Sequence, residues 1–270
     1  MAKLKYTFKT DTLFKILFVR HQDLLQRLVA ELLGIRHESI GRFKVTNAEM
    51  PPELLGGKFC RLDINMEVDG RRVNLEIQVR DEGDYPERIL FHWAKLYSSA
   101  LPGGGDYGSL PRTVVINIVD FNIFECAEFH SEFRPLEATR HELLSDRMSL
   151  HFFELRKVPV REGSMDMLLL WLSLFRAGTE EELNRIKALG VPTMEQAINA
   201  FNQITASPEF LEIERQLDKA RRNEASALRN ATAKAAAKER MKWQSVIAGK
   251  DAEIASKDAL IAELLARQER

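Results

Sequence analysis

Between residues 61 and 80, RLDINMEVDGRRVNLEIQVR, apolar and polar residues alternate on both sides of Asp69-Gly70. Leu62, Ile64, Met66 and Val68 fall on one face, with Asp63, Asn65 and Glu67 on the other. Val73, Leu75, Ile77 and Val79 alternate in the same way with Asn74, Glu76 and Gln78. A period of two predicts two strands, each with one face in a core and one polar. Asp-Gly between them signals a two-residue hairpin, because a type I′ turn needs positive φ at both central residues. With that turn, Val68 faces Arg71, Ile64 faces Leu75 and Asp63 faces Glu76. A turn at Gly70-Arg71 would instead set Asp63 against Gln78.

Helical spacing appears on either side of this hairpin. Leu13, Phe14, Ile16, Leu17, Leu24, Leu25, Leu28, Val29 and Leu32 predict one helix over 10–34, closed by Gly34. Asp11 stands where a helix N-cap belongs, and Lys15, one turn on, reads as a solvated lysine. A short strand is expected over 40–46, then a loop marked by Pro51-Pro52 and Gly56-Gly57. Pro86 suits a first helical position, and Ile89, Leu90, Trp93, Leu96, Tyr97 and Ala100 follow as an apolar stripe. Arg88 and His92 share one side of that helix.

Pro102 and the glycines at 103–105 follow a helix and lack a GK[ST] ending, so they read as a linker and not as a phosphate loop. RTVVINIVDF, 112–121, is the near-continuous β-branched run of a strand buried on both faces. A hairpin, a helix and then such a strand imply a right-handed crossover to a parallel position. Another strand is expected over 150–155. The order helix, strand, hairpin, helix, strand is that of an α/β sandwich.

Beyond Arg161 the pattern is helical, with segments at 165–175 and 192–205 and a last helix opened by Ser207-Pro208. The expected organisation is a core over 1–160, a helical annex over 161–206, and a long charged helix over 207–270. Within that tail, Lys219, Arg221, Arg222, Arg229, Lys234, Lys238, Arg240 and Lys242 outnumber Glu224 and Glu239. Such a face either meets solvent or lies along a phosphate backbone. Ile247, Ile254 and Ile261 fall seven apart, the beginning of a coiled coil that would join copies of the chain, although Lys250 and Lys257 take its d positions.

Composition narrows the classes. At 270 residues and 45% hydrophobic, the chain can bury a full core. A net charge of −1 rules out a global basic field, so contact with a polyanion must come from local patches. Cys60 and Cys126 form no CxxC pair, and the six histidines show no ligand spacing. There is neither a signal peptide nor an apolar run of membrane-spanning length. A cytoplasmic protein that does not enter membranes is expected.

Asp63 and Glu76, directly paired, would hold two carboxylates roughly 5 Å apart. A solvated polar face explains such a pair. So does a divalent cation, which turns their repulsion into a site. Gln78 would point at the same spot.

These pieces together resemble the PD-(D/E)XK nucleases, and more narrowly the Rpn family of recombination-promoting nucleases, also described as PD-(D/E)XK family transposases. The match runs in order through DTLFKILF at 11–18, RLDINMEV with Asp63, NLEIQVR with Glu76 and Gln78, the helix carrying Arg88 and Tyr97, VVINIVDF, and HFFELRK at 151–157. It covers roughly residues 6–160. The resemblance implies a restriction-endonuclease-like α/β fold, a mixed sheet flanked by helices, here with a helical C-terminal extension. It implies a Mg²⁺-dependent DNA endonuclease, with Mn²⁺ able to substitute, acting in recombination or mobile-element transfer. Asp63 and Glu76 would be metal ligands, with the Ile77 carbonyl as a further one. Gln78 stands where the superfamily usually carries lysine and would position the attacking water, but it brings no positive charge. Asp11 matches the opening motif and would join the catalytic group, while Lys15 and Arg88 would contact DNA. The rival reading is a nuclease fold with weak turnover that binds DNA and assembles through its C-terminal helix.

Overall fold

A computed structural model describes residues 3–47, 63–101, 104–159 and 163–268. The loop with Pro51-Pro52 and Gly56-Gly57, Cys60, the hairpin's first residues Arg61 and Leu62, and Pro102-Gly103 lie outside them.

The central hairpin forms β2 (Ile64–Val68) and β3 (Arg71–Gln78), with Val68 opposite Arg71 and Ile64 opposite Leu75. Asp69 and Gly70 sit at φ 47° and 77°, the two positive angles a type I′ turn demands. Asp69 also anchors the turn, because its Oδ1 accepts from the N–H groups of Gly41 (3.0 Å) and Arg42 (2.7 Å).

Four more strands complete a mixed sheet: β1 (Phe43–Val45), β4 (Thr113–Val119), β5 (His130–Phe133) and β6 (Met148–Glu154), in the order β1-β2-β3-β4-β6-β5. β3, β4 and β6 run parallel, and the two flanks are antiparallel. β4 is buried at all seven positions, as its unbroken apolar run requires. β5, read HSEF, is short and polar at the sheet edge and carries no periodic signal.

Helices cover both faces. α1 (Asp11–Arg20), α2 (Gln22–Leu33), α4 (Met167–Arg176), α5 (Glu180–Lys187) and α6 (Pro192–Ala206) contribute to the larger core, with Ile64, Met66, Leu75, Ile77, Ile116, Ile118 and Phe153. α3 (Tyr85–Ser98) lies on the opposite face, where Tyr85, Ile89 and the half-buried Trp93 pack with Val115, Val119, Leu150 and Phe152.

Several expectations change. The helix predicted over 10–34 is two helices that break at His21 (φ −114°, ψ 71°). Arg20 to Asp23 offer no apolar side chain to hold a continuous rod to the core, and the break lets both apolar sets reach it. Gly34 does close α2 in the left-handed conformation. Thr10, not Asp11, is the N-cap of α1, and Asp11 is its first helical residue. Lys15 is not solvated: it is 2% exposed, inside a helix buried from Thr12 to Phe18. In α3, Leu90 and Phe91 are exposed at 49% and 66%, because the helix presents Ile89 and Trp93 inward. α5 went unread in the sequence, although its Thr179-Glu182 capping box is complete.

The chain forms two compact units, Met1–Glu214 and Arg215–Arg270. α7 (Pro208–Gln268) begins in the first, where Ser207 Oγ accepts from Phe210 N–H (3.3 Å) and Phe210 is buried. In the second, every described side chain from residue 221 to 262 is exposed, Ile247, Ile254 and Ile261 included. Gly249 does not interrupt the helix. None of the described helices is long and apolar enough to cross a membrane.

One polar chain, buried at Ser149 and His151, lies at the β5–β6 edge. His130 Nε2 and His151 Nδ1 are 3.1 Å apart, His151 Nε2 lies 2.9 Å from Ser149 Oγ, and that hydroxyl donates to Glu132 Oε1 (2.7 Å). Burial above all pushes His151 down to about 4, with His130, Arg112 and Arg134 adding to the effect and Glu132 opposing it. The unfolded chain binds this proton below about 6.5, whereas the folded chain resists it until about 4. Stability is therefore full above that range and falls as pH drops through it, by up to about 3 kcal/mol. Urea midpoints from pH 7.5 to 4.5 should fall more steeply for the wild type than for His151→Gln. Parallel slopes would refute this.

Candidate functional site

The turn register sets Asp63, one residue before β2, beside Glu76 on the polar side of the hairpin. That side is not left open to solvent. Asn74 and Glu76 are both buried, because β3 is central and α3 lies across this face.

Asp63 is held through both its backbone and its side chain. Asn74 Nδ2 donates to Asp63 Oδ2 (2.6 Å), and Asn65 Nδ2 does so at 3.3 Å. Lys15 Nζ and Asn47 Nδ2 each donate to the Asp63 carbonyl at 2.9 Å. The lysine thus crosses from the helical layer of the larger core to the start of β2. Asp11 lies one helical turn before Lys15, on the same side of α1, and is itself exposed.

Glu76 meets two side chains from α3. Arg88 Nη2 lies 3.8 Å from Glu76 Oε1, and His92 Nδ1 lies 3.8 Å from Glu76 Oε2. Arg88 also pairs with Glu82, and its guanidinium stacks 4.7 Å above the Tyr85 ring. Asn117, paired with Glu76 across β3–β4, accepts from the Tyr85 hydroxyl (3.1 Å) and donates to the His151 carbonyl (3.0 Å).

Gln78 is half-buried, and its Nε2 donates to the Arg80 carbonyl (3.0 Å). Successive carbonyls along a strand point to opposite neighbours. The Gln78 carbonyl accepts from Asp120 N–H (2.9 Å) on the β4 side, so that of Ile77 turns toward β2, the side where Asp63 lies.

The structure therefore joins Lys15 to Asp63 and Arg88 to Glu76, with Asn74 on β3, two residues before Glu76, bonded to Asp63. Ile77 and Gln78 follow on β3, and Asp11 lies one turn before Lys15 on α1. Reading the sequence missed Asn47, Asn65, Asn74 and Asn117, and it left His92 unassigned. Strand alternation already put Asn65 and Asn74 on the face of Asp63 and Glu76, so parity was the signal available for those two. Asn47 carried none.

The donors suit a hard cation. Two carboxylates and a carbonyl are all oxygen, and Mg²⁺ is commonly bound through one or two carboxylates while keeping several waters. Among the described residues, no three His, Cys, Asp or Glu side chains converge as a metal-binding group.

The family model described as PD-(D/E)XK nuclease family transposase matches residues 8–231. No curated protein and no solved structure matches the chain.

Proposed function

The chain belongs to the PD-(D/E)XK nuclease family transposases, and from that premise we propose that it is a metal-dependent DNA endonuclease. It hydrolyses phosphodiester bonds and, as in the Rpn nucleases it resembles, promotes recombination or mobile-element transfer in the cytoplasm. The observation that carries this reading is the hairpin register, which sets Asp63 beside Glu76 on a polar face otherwise covered by α3.

Asp63, Glu76 and the Ile77 carbonyl would hold Mg²⁺, or Mn²⁺ in its place. The cation, when bound, lowers the pKa of a water and offsets charge developing on the scissile phosphate. Asn65 and Asn74 orient the Asp63 carboxylate, as outer-shell partners do for metal ligands. Lys15 fixes the Asp63 backbone, and Asp11, exposed one turn earlier on α1, would complete the catalytic group where DNA approaches. Gln78, neutral, positions water through its amide once that amide leaves the Arg80 carbonyl.

The nuclease core spans 1–160, the annex 161–206 and the tail 207–270. The exposed isoleucines at 247, 254 and 261 support a homo-oligomeric coiled coil, and the basic first part of the tail supports contact with DNA.

The test is nicking of supercoiled plasmid in Mg²⁺, in Mn²⁺ and in excess EDTA. Cutting that needs the metal supports the enzyme. DNA binding without cutting under any of these conditions would leave a nuclease fold that binds DNA and assembles.

A further inference from the structure

A nuclease of this kind needs a positive charge on the scissile phosphate, and Gln78 cannot supply it. Lys15 reaches the start of β2, but its ammonium donates to the Asp63 carbonyl and so has a structural task. Arg88 on α3 brings an arginine's fork to this face, its Nη2 3.8 Å from Glu76 Oε1. Its side chain is only 12% exposed, a costly place for a charge that lacks full hydrogen bonding.

The bonding of Arg88 is incomplete in a directional way. Its Nη1 pairs with Glu82, an exposed carboxylate. Its Nε and Nη2 are buried and make no hydrogen bond among the described residues. Nη2 lies 3.8 Å from Glu76 Oε1, which is too long for a hydrogen bond. The guanidinium lies over the Tyr85 ring, 4.7 Å from its centroid, a contact that favours one orientation of the fork. Two parallel N–H donors on a rigid fork match two oxygens of a phosphate.

We propose that Arg88 is a catalytic residue of this site, its Nε and Nη2 donating to the non-bridging oxygens of the scissile phosphate in place of the lysine that Gln78 replaces. The assignment rests on the nuclease reading above. Glu82 holds the guanidinium while the site is empty, and its exposure lets it release one donor at little cost.

The assignment differs from a role in merely steadying Glu76. An Arg88 that acted through Glu76 would alter metal binding. One that acts on the phosphate leaves the metal requirement alone and lowers the rate of the chemical step.

The test compares the full-length wild type with Arg88→Ala and Arg88→Lys in plasmid nicking, with melting curves to show that each variant is folded. For Arg88→Ala, the rate at saturating DNA should fall about 10²–10³-fold. DNA affinity, measured by fluorescence anisotropy in Ca²⁺, should change less than about threefold, because the contact matters most as phosphate charge develops. The Mg²⁺ midpoint should stay or drop, and added guanidinium should restore part of the lost rate. Arg88→Lys, which keeps the charge without the fork, should lie between the two and remains readable if the alanine variant unfolds. A raised Mg²⁺ midpoint whose rate recovers in excess metal would overturn the assignment in favour of support for Glu76. Variants that cut at the wild-type rate would overturn it while leaving the nuclease reading standing. A wild type that never cuts overturns both.

Discussion

Asp63→Ala is expected to abolish metal-dependent nicking, with a loss on the order of 10³-fold, equivalent to about 4 kcal/mol of transition-state stabilisation. The reason lies in how much of the site converges on this residue. Its carboxylate is held by Asn74 (2.6 Å) and Asn65 (3.3 Å), and its carbonyl by Lys15 and Asn47. Alanine keeps the carbonyl and both of its donors, so the start of β2 stays anchored. Only the carboxylate leaves, and Asn74 Nδ2 still has Asn65 Oδ1 at 2.9 Å. The stability cost should therefore be about 1 kcal/mol, far too little to explain lost activity by unfolding. Asn74→Ala removes the orienting donor and should reduce cutting about 10- to 100-fold. Matched plasmid assays with urea melts read both quantities. Equal traces of cutting by wild type and Asp63→Ala would mark a contaminating nuclease and remove the support for this site.

Glu154→Ala is expected to cost about 3–5 kcal/mol, the largest stability loss of the substitutions considered. Glu154 ends β6 inside HFFELRK, one of the stretches that resembles the nuclease family, and a carboxylate there invites a catalytic role. Its contacts point elsewhere. Oε1 accepts from the N–H groups of Ile123 (2.6 Å) and Phe124 (3.3 Å), and Oε2 accepts from Lys157 Nζ (2.8 Å). The residue is fully buried and its lysine nearly so, at 10% side-chain exposure. Alanine would strand two backbone donors away from water and leave the Lys157 ammonium with the Phe124 carbonyl (2.6 Å) but without its counter-charge. Natural domains are stable by only about 5–15 kcal/mol, so such a loss brings the variant close to unfolding. Glu154→Gln keeps an acceptor for the backbone pair and should cost about half as much. The urea midpoint measures both changes. An alanine variant within about 1 kcal/mol of wild type would show that the loop at 123–124 finds other partners.

Local chemistry was sufficient for the centre of the fold. Strict alternation on either side of Asp69-Gly70 leaves one register in which both apolar faces reach a core, and a one-residue slip would turn every side chain over. That register pairs Ile64 with Leu75 and puts Asp63 beside Glu76. The continuous β-branched run at 113–119 likewise has few homes other than a central parallel strand, which is where it lies. The opening residues were less legible. A helical period runs through 13–32, and nothing in it marks the break at His21, which follows from how two helices share one core.

The environment of each side chain was decided by tertiary structure. Spacing alone made Lys15 a solvated lysine and the Glu76 face a wet one. α1 is instead buried from Thr12 to Phe18, and α3 closes over β3, so both charges sit where water is scarce. Periodicity reports only which residues share a face of one element. Whether that face meets solvent depends on residues distant in the chain, here Arg88 and His92 arriving on α3 and Lys15 arriving on α1. The sequence by itself determined the hairpin, its register and the polar face that carries Asp63, Asn65, Asn74 and Glu76. Only the packing of α1 and α3 against that hairpin decided that Glu76 is enclosed and faced by a guanidinium and that a lysine holds the Asp63 carbonyl, because burial and charge pairing belong to contacts between elements.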